Sequence, residues 1–150
     1  MEQFLLEKGY EILQLLGRGR FGAVYLVRHK PTGGLYACKT ASDEKDRILL
    51  RREAGHQREI SHPLYAAFEE LLESEDATFL VMEYVAGDNL AVARRREGIA
   101  NADAEGLALS VGIALGEGLR YLHNLPEPLL YRDLKPQDVS LAPGGIKLLD

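Results

Sequence analysis

The sequence predicts an α+β fold: an antiparallel sheet carrying one charged helix, followed by the beginning of a helical region. Three observations point there. Between Tyr10 and Leu90, short runs rich in β-branched and aromatic residues alternate with glycine-rich or acidic turns. One charged stretch, SDEKDRILLRREAGHQREI, interrupts those runs. From Asn101 onward the apolar residues recur at helical rather than strand spacing.

Each element follows from local chemistry. YEILQLLG runs as a strand into a glycine-rich turn, and AVYLVRH returns from it as a second strand. KPTGG, with Gly33 and Gly34, suits a hairpin into the third strand, LYACKT. The charged stretch reads as one helix from Asp43 to Ile60, whose acidic start complements the helix dipole. Strands around YAAFEEL and ATFLVMEYV then flank the polar turn ESED. ADAEGLALSVGIALGEGLRYLH is an amphipathic helix with Leu107, Val111, Leu115, Leu119 and Leu122 on one face. Its Gly106, Gly112, Gly116 and Gly118 each weaken it by up to ~1 kcal/mol relative to alanine, or mark close packing. Pro126 and Pro128 end it, and the short strands LLY, VSL and IKLLD follow, with APGG as a turn.

A chain of 150 residues, 46% hydrophobic and 27% charged, suffices for a domain that buries roughly 70% of its unfolded surface. The formal charge of −5 argues against a nucleic-acid partner, since phosphate backbones call for basic surface. Cys38 is the single cysteine, which excludes an internal disulfide and a CxxC zinc site, and fits a reducing, cytoplasmic compartment. The N-terminal stretch is too interrupted by charge for a signal peptide or membrane span; a membrane segment beyond residue 150 is left open. His29, His56, His62 and His123 lack metal-ligand spacing, and Arg94-Arg95-Arg96 reads as a solvated helix face.

LGRGRFGAVYLV sets Gly17, Gly19 and Gly22 in a GxGxxG pattern. A dinucleotide-binding fingerprint would open a helix here, whereas Ala23 to Val27 reads as a strand, the arrangement of a phosphate-covering hairpin. A plain hairpin with spare glycines is the bland alternative. No GxxxxGK[ST] is present, which excludes a P-loop. Downstream, Tyr36-Ala37-Cys38-Lys39 places a lysine in an apolar strand. Burying an unpaired ammonium is very costly, so Lys39 must have a partner and a task. Cys38, by strand alternation, faces the other way.

The ordered series of GxGxxGxV, ACK, Glu53, His62-Pro63, FLVMEYVAGDNL, YRDLKP and LLD resembles the eukaryotic-like protein Ser/Thr kinases. The resemblance spans Tyr10 to Asp150, so the chain reads as a partial kinase domain. By that resemblance residues of about 10–85 would form the N-lobe with its hinge, and about 86–150 the start of the C-lobe. The YRDLKP style and the loop-poor build are similar to bacterial members.

The resemblance implies ATP and Mg²⁺ as cofactors, and proteins bearing Ser or Thr as substrates. It implies that Lys39 binds phosphates and pairs with Glu53, that Gly17, Gly19 and Gly22 cover the phosphates, and that Leu16, Val24 and Ala37 contact the nucleotide. Met82 would be the gatekeeper, Glu83 to Val85 the adenine-binding hinge, and Asp88 or Asn89 would lie near the ribose. Asp133 would accept the substrate hydroxyl proton, and Lys135 would steady the transferred phosphate. Arg132 would read a phosphorylated loop, and Asp138 and Asp150 would hold magnesium. Three positions depart from the family pattern. Asp138 replaces an asparagine, adding negative charge beside Asp133 and Asp150. Ser140 replaces the apolar floor under adenine. Gln57 replaces an apolar member of a buried column to which Phe68 and Tyr131 also belong. These departures are expected to impair metal and nucleotide binding and motivate an alternative, a non-catalytic nucleotide-binding or docking module. The isolated piece is expected to be inactive because the family's substrate platform and activation loop are not among its residues. The stripe of Leu107, Val111, Leu115 and Leu119 is expected to lie exposed and to favour aggregation.

Overall fold

The computed structural model describes residues 1–19, 21–95, 101–130, 134–142 and 145–149. The chain falls into two compact units, the first of residues 1–60 and 67–84, the second of residues 61–66 and 85–150.

The first unit is built on five antiparallel strands, β1 (Tyr10–Arg18), β2 (Ala23–His29), β3 (Leu35–Ala41), β4 (Phe68–Glu73) and β5 (Thr78–Glu83), in the order β1-β2-β3-β5-β4. Strand alternation sorts its side chains into two cores. On one face Val27, Cys38, Phe79 and Val81 pack with Tyr10 and Ala77. On the other, Ala37, Ala41, Leu80 and Met82 pack against Leu50 and Ala54 of α2 (Glu44–Arg58). Cys38 thus lies on the face opposite Lys39's neighbours Ala37 and Ala41, and burial pushes its thiol up to about 12. Asp43 caps α2, its side chain accepting from the Lys45 amide at 2.9 Å.

A short helix that sequence periodicity did not mark, α1 (Glu2–Glu7), covers the first face. Leu5 is fully buried in that core and Phe4 stacks on Phe79 at 5.4 Å. Six residues offer too few turns for a periodic signal, yet burying Leu5 alone contributes about 1.5–3 kcal/mol. Tyr10 lies deep in the same core and donates its hydroxyl to Glu70, and burial raises its pKa well above the usual phenol range.

The second unit contains α3 (Leu90–Arg95), α4 (Asn101–His123), a 3-10 turn (Pro136–Asp138), and the hairpin β6 (Val139–Ala142) with β7 (Gly145–Leu148). Asn89 caps α3, its side chain accepting from the Val92 amide at 2.9 Å. The strand read from the sequence at YAAFEEL begins late, at Phe68, because Tyr65 and Ala66 are spent in this second unit. Tyr65 donates its hydroxyl to the Gly118 carbonyl at 2.7 Å, and the Ala66 amide bonds the Leu148 carbonyl at 3.2 Å. Burial pushes the Tyr65 hydroxyl up to about 12.

The expected exposed stripe on α4 is corrected. The buried residues are Val111, Ala114, Gly118 and Leu122, while Leu107, Leu115 and Leu119 are half-buried. Among the described residues of α4 the large exposed apolar ones are Leu109 and Ile113. A step of three from Val111 to Ala114 sets the buried line on Ala114, Gly118 and Leu122, one residue round the helix from Leu115 and Leu119. Of the glycines, Gly118 alone marks close packing. A Cβ there would lie 2.8 Å from Leu148 and 3.0 Å from the Tyr65 hydroxyl, whereas at Gly106, Gly112 and Gly116 it would meet no described residue within 4 Å. Among the described residues no helix is long and apolar enough to cross a membrane. Arg96 lies outside the described residues.

Candidate active site

The glycine-rich turn joins β1 to β2, and β1 approaches it through two register shifts, between Ile12 and Gln14 and between Leu15 and Gly17. Such bulges add twist and unpair backbone locally. The Gly19 amide donates to the Gly22 carbonyl at 2.7 Å and closes the turn. The glycines are required for different reasons. At Gly22 a Cβ would collide with the Thr40 carbonyl oxygen, so packing within the chain demands glycine. The Thr40 hydroxyl in turn donates to the Ala23 carbonyl at 3.1 Å, holding the turn's exit on β3. Among the described residues nothing lies within 4 Å of a Cβ at Gly17, and at Gly19 the nearest atom is 3.9 Å away. No described residue requires glycine at those two positions, and the space there suits a group that approaches the bare backbone. Thr40 was not singled out from the sequence, because its contact with Gly22 depends on strand register.

Register gathers the other predicted residues of this unit. Val24 lies opposite Lys39 on the neighbouring strand, and Ala37 opposite Met82. Cross-strand partners share a face, so Val24, Ala37, Lys39 and Met82 lie on the side that carries α2. Glu53 projects from that helix, and Lys39 Nζ meets its Oε1 at 2.6 Å, with the two side chains 18% and 22% exposed. Desolvation makes this pair more consequential than a surface ion pair. Met82 is buried, and the amide nitrogen of Gln57, itself buried on α2, donates to its sulfur at 3.8 Å. Leu16, on β1, is 39% exposed. Glu83 is fastened to Ala67: its amide donates to the Ala67 carbonyl at 2.8 Å, and its carboxylate accepts from the Ala67 amide at 3.0 Å. Ala67 carried no sequence signal, since the contact is made by its backbone.

In the second unit Val85 is half-buried outside regular structure. The Asp88 carbonyl accepts from the Leu141 amide at 2.8 Å. Lys135 and Asp138 hold each other: the Lys135 amide donates to Asp138 Oδ2 at 3.0 Å, and the Asp138 amide to the Lys135 carbonyl at 2.9 Å. The Asp138 carbonyl accepts from the Leu149 amide at 2.7 Å, so Asp138 adjoins the residue that precedes Asp150. Ser140 is buried in β6 opposite Lys147. Tyr131, Arg132, Asp133 and Asp150 lie outside the described residues.

Comparison with known proteins bears on this arrangement directly. The model of the protein kinase domain matches residues 10–150. The chain is similar to cAMP-dependent protein kinase type 3 of Saccharomyces cerevisiae, 32% identical over 150 residues that take in 94% of this chain and 36% of the yeast protein. It is 33% identical to RAC-beta serine/threonine-protein kinase of Rattus norvegicus, over 94% of this chain and 30% of that protein. Against ribosomal protein S6 kinase alpha-1 of Homo sapiens the identity is 30%, over 94% of this chain and 20% of the human protein. The chain therefore spans between 20% and 36% of the length of these relatives.

Proposed function

The chain belongs to the protein kinase domain family, and on that premise we propose that it forms part of a protein serine/threonine kinase acting with Mg²⁺-ATP on protein hydroxyls. The observation that carries this reading is the 2.6 Å pair between Lys39 and Glu53, on the sheet face that also bears Val24, Ala37 and Met82. An ammonium in an apolar strand, held by the Glu53 carboxylate, is a cation placed for use.

The residues present fit the groups that the family uses. The open backbone at Gly17 and Gly19 can approach phosphate oxygens, with Gly22 fixing the turn and Lys39 binding α/β-phosphates under orientation by Glu53. Leu16, Val24, Ala37 and Met82 offer apolar contact to adenine, and the backbone of Glu83 to Val85 offers hydrogen bonds to it. Asp138 and Asp150 are hard oxygen donors suited to magnesium. Bound Mg²⁺-ATP supplies the transferable phosphoryl group and neutralises part of its charge. The chain's own residues supply position. Asp133 orients the substrate hydroxyl and accepts its proton, and Lys135 steadies the charge on the transferring oxygens. Ser140 and Asp138 weaken this machinery, the first by denying adenine an apolar floor and the second by adding negative charge.

Those two departures, with Gln57, favour a second reading, a nucleotide-binding or docking module that does not turn over. Thermal unfolding of the chain with Mg²⁺-ATP tests the shared premise. Saturation at about 100 times Kd stabilises by about 2.7 kcal/mol, which raises Tm by roughly 5–10 °C, and Lys39→Met should abolish most of that rise. No rise at millimolar Mg²⁺-ATP would overturn nucleotide binding. Phosphoryl transfer by the full-length protein, strongly increased by Asp138→Asn with Ser140→Leu, would establish a weakened enzyme over a binding module.

A further inference from the structure

The helix that carries Glu53 is poorly supplied with apolar anchors. Of its fifteen residues only Leu50, Ala54 and Gln57 are buried, and Ile48 and Leu49 face solvent. Its polar anchorage is far denser. Arg47, whose side chain is only 13% exposed, directs its guanidinium at the β4–β5 turn and the strand ends beside it, with a longer contact of 3.7 Å to Glu44 on its own helix. Nε donates to the Thr78 hydroxyl at 3.2 Å and Nη1 to the Glu75 carbonyl at 2.9 Å. Nη2 donates to the Ser74 carbonyl at 3.0 Å and to Glu73 Oε2 at 3.3 Å. One turn along, Arg51 donates to both oxygens of the same Glu73 carboxylate, at 2.8 and 3.3 Å. Thr78, wholly buried, donates its hydroxyl to Glu73 at 2.8 Å and so turns that carboxylate toward the two arginines.

We propose that Arg47 is a positioning residue: by bracing α2 on the β4–β5 turn it holds Glu53 on Lys39 without help from any other chain. Leu50, the larger of the helix's two fully buried side chains, lies between Arg47 and Glu53 and serves as a pivot. Arg47 stands about 9 Å along the axis from Glu53 at 1.5 Å per residue, so lifting one end tilts the other. A shift of about 1 Å at Glu53 takes a 2.6 Å contact to the outer limit of a hydrogen bond. Only a guanidinium suits the role, because its planar fork meets two carbonyls, a hydroxyl and a carboxylate together, which one ammonium does not. The proposal rests on the reading of Lys39 and Glu53 as the phosphate-handling pair.

The test is acylation of Lys39 by an amine-reactive ester, followed by mass spectrometry on the 150-residue chain without nucleotide. Lys8 and Lys30 serve as internal standards, and Glu53→Gln defines the open pair. Arg47→Met is expected to bring Lys39 labelling more than halfway to the Glu53→Gln level while Lys8 and Lys30 keep theirs. Circular dichroism shows whether that variant folds. Should it not fold, Thr78→Val, nearly isosteric and lacking the hydroxyl that orients Glu73, decides in its place, with a rise in the same direction expected. Lys39 labelling at the native level in the deciding variant, whatever its melting temperature, overturns the proposal and leaves the brace a purely structural feature. Native labelling with normal Mg²⁺-ATP binding would sink the brace alone. Raised labelling with no nucleotide binding would sink the kinase reading alone.

Discussion

Helices α2 and α4 are placed by opposite means. Eight of the fifteen residues of α2 are charged, and it is located by guanidinium and carboxylate contacts to the neighbouring hairpin. α4 is apolar and glycine-rich, and it is located where a side chain is missing, at Gly118 beneath Tyr65 and Leu148. Charge fixes a helix through a few directional bonds that acid weakens. Close packing fixes it through volume, which acid leaves alone and a single methyl group upsets.

That contrast is open to test from either side, and the largest effect is expected on α4. Gly118→Ala places a methyl within 2.8 Å of Leu148 and should cost about 1–3 kcal/mol, as overpacking does; chemical denaturation monitored through the second unit measures it. A loss near zero would mean that α4 slides freely and that volume does not place it. The companion change, Gly112→Ala, meets no described residue within 4 Å and should stabilise by up to ~1 kcal/mol through helix propensity alone. The two glycines, six residues apart on one helix, should thus move the denaturation midpoint in opposite directions.

The smallest effect concerns α2 and acid. Hydrogen bonding from Arg51 holds the Glu73 carboxyl below its usual range, assisted by Thr78 and Arg47 against a partial desolvation. A lowered native pKa gives stability that is present above the unfolded value near 4.5 and lost as pH falls through the native one. Stability should therefore decline on acidification below about pH 4.5, with α2 amides opening to hydrogen exchange before those of β3 and β5. Glu73→Gln should flatten that decline. Because the Glu73 side chain is 40% exposed, solvent screening keeps the change modest. An identical pH profile in the variant would mean that the carbonyl contacts of Arg47 suffice.

The two regions also differed in how far their sequences could be read. The strands, α2 and the need of Lys39 for a partner were legible because each rests on local pattern: alternation, a capped charged run, an ammonium in an apolar strand. Glu53 as that partner came from the family resemblance. Lys39 and Glu53 meet as anticipated, and Cys38 faces away from them. What escaped depended on distant parts of the chain. Tyr65 and Ala66 looked like strand residues but are claimed by Gly118 and Leu148. The buried line of α4 runs through Ala114 and Gly118, and at Gly118 it is set by Tyr65 and Leu148 packing over the missing side chain. The demand for glycine at position 22 comes from the Thr40 carbonyl on another strand. Nothing in GRGRFG distinguishes that glycine from the two whose backbone stands open.

Cys38 has a practical consequence. It is the only cysteine in the chain, it is wholly inaccessible at the centre of the first unit's sheet, and burial holds its thiol protonated at neutral pH. A thiol reagent can reach it only when that sheet opens, since the thiolate is the reactive form. The protein thus carries its own opening clock: the rate at which Cys38 is modified reports how often the sheet comes apart, with no label added and no residue changed.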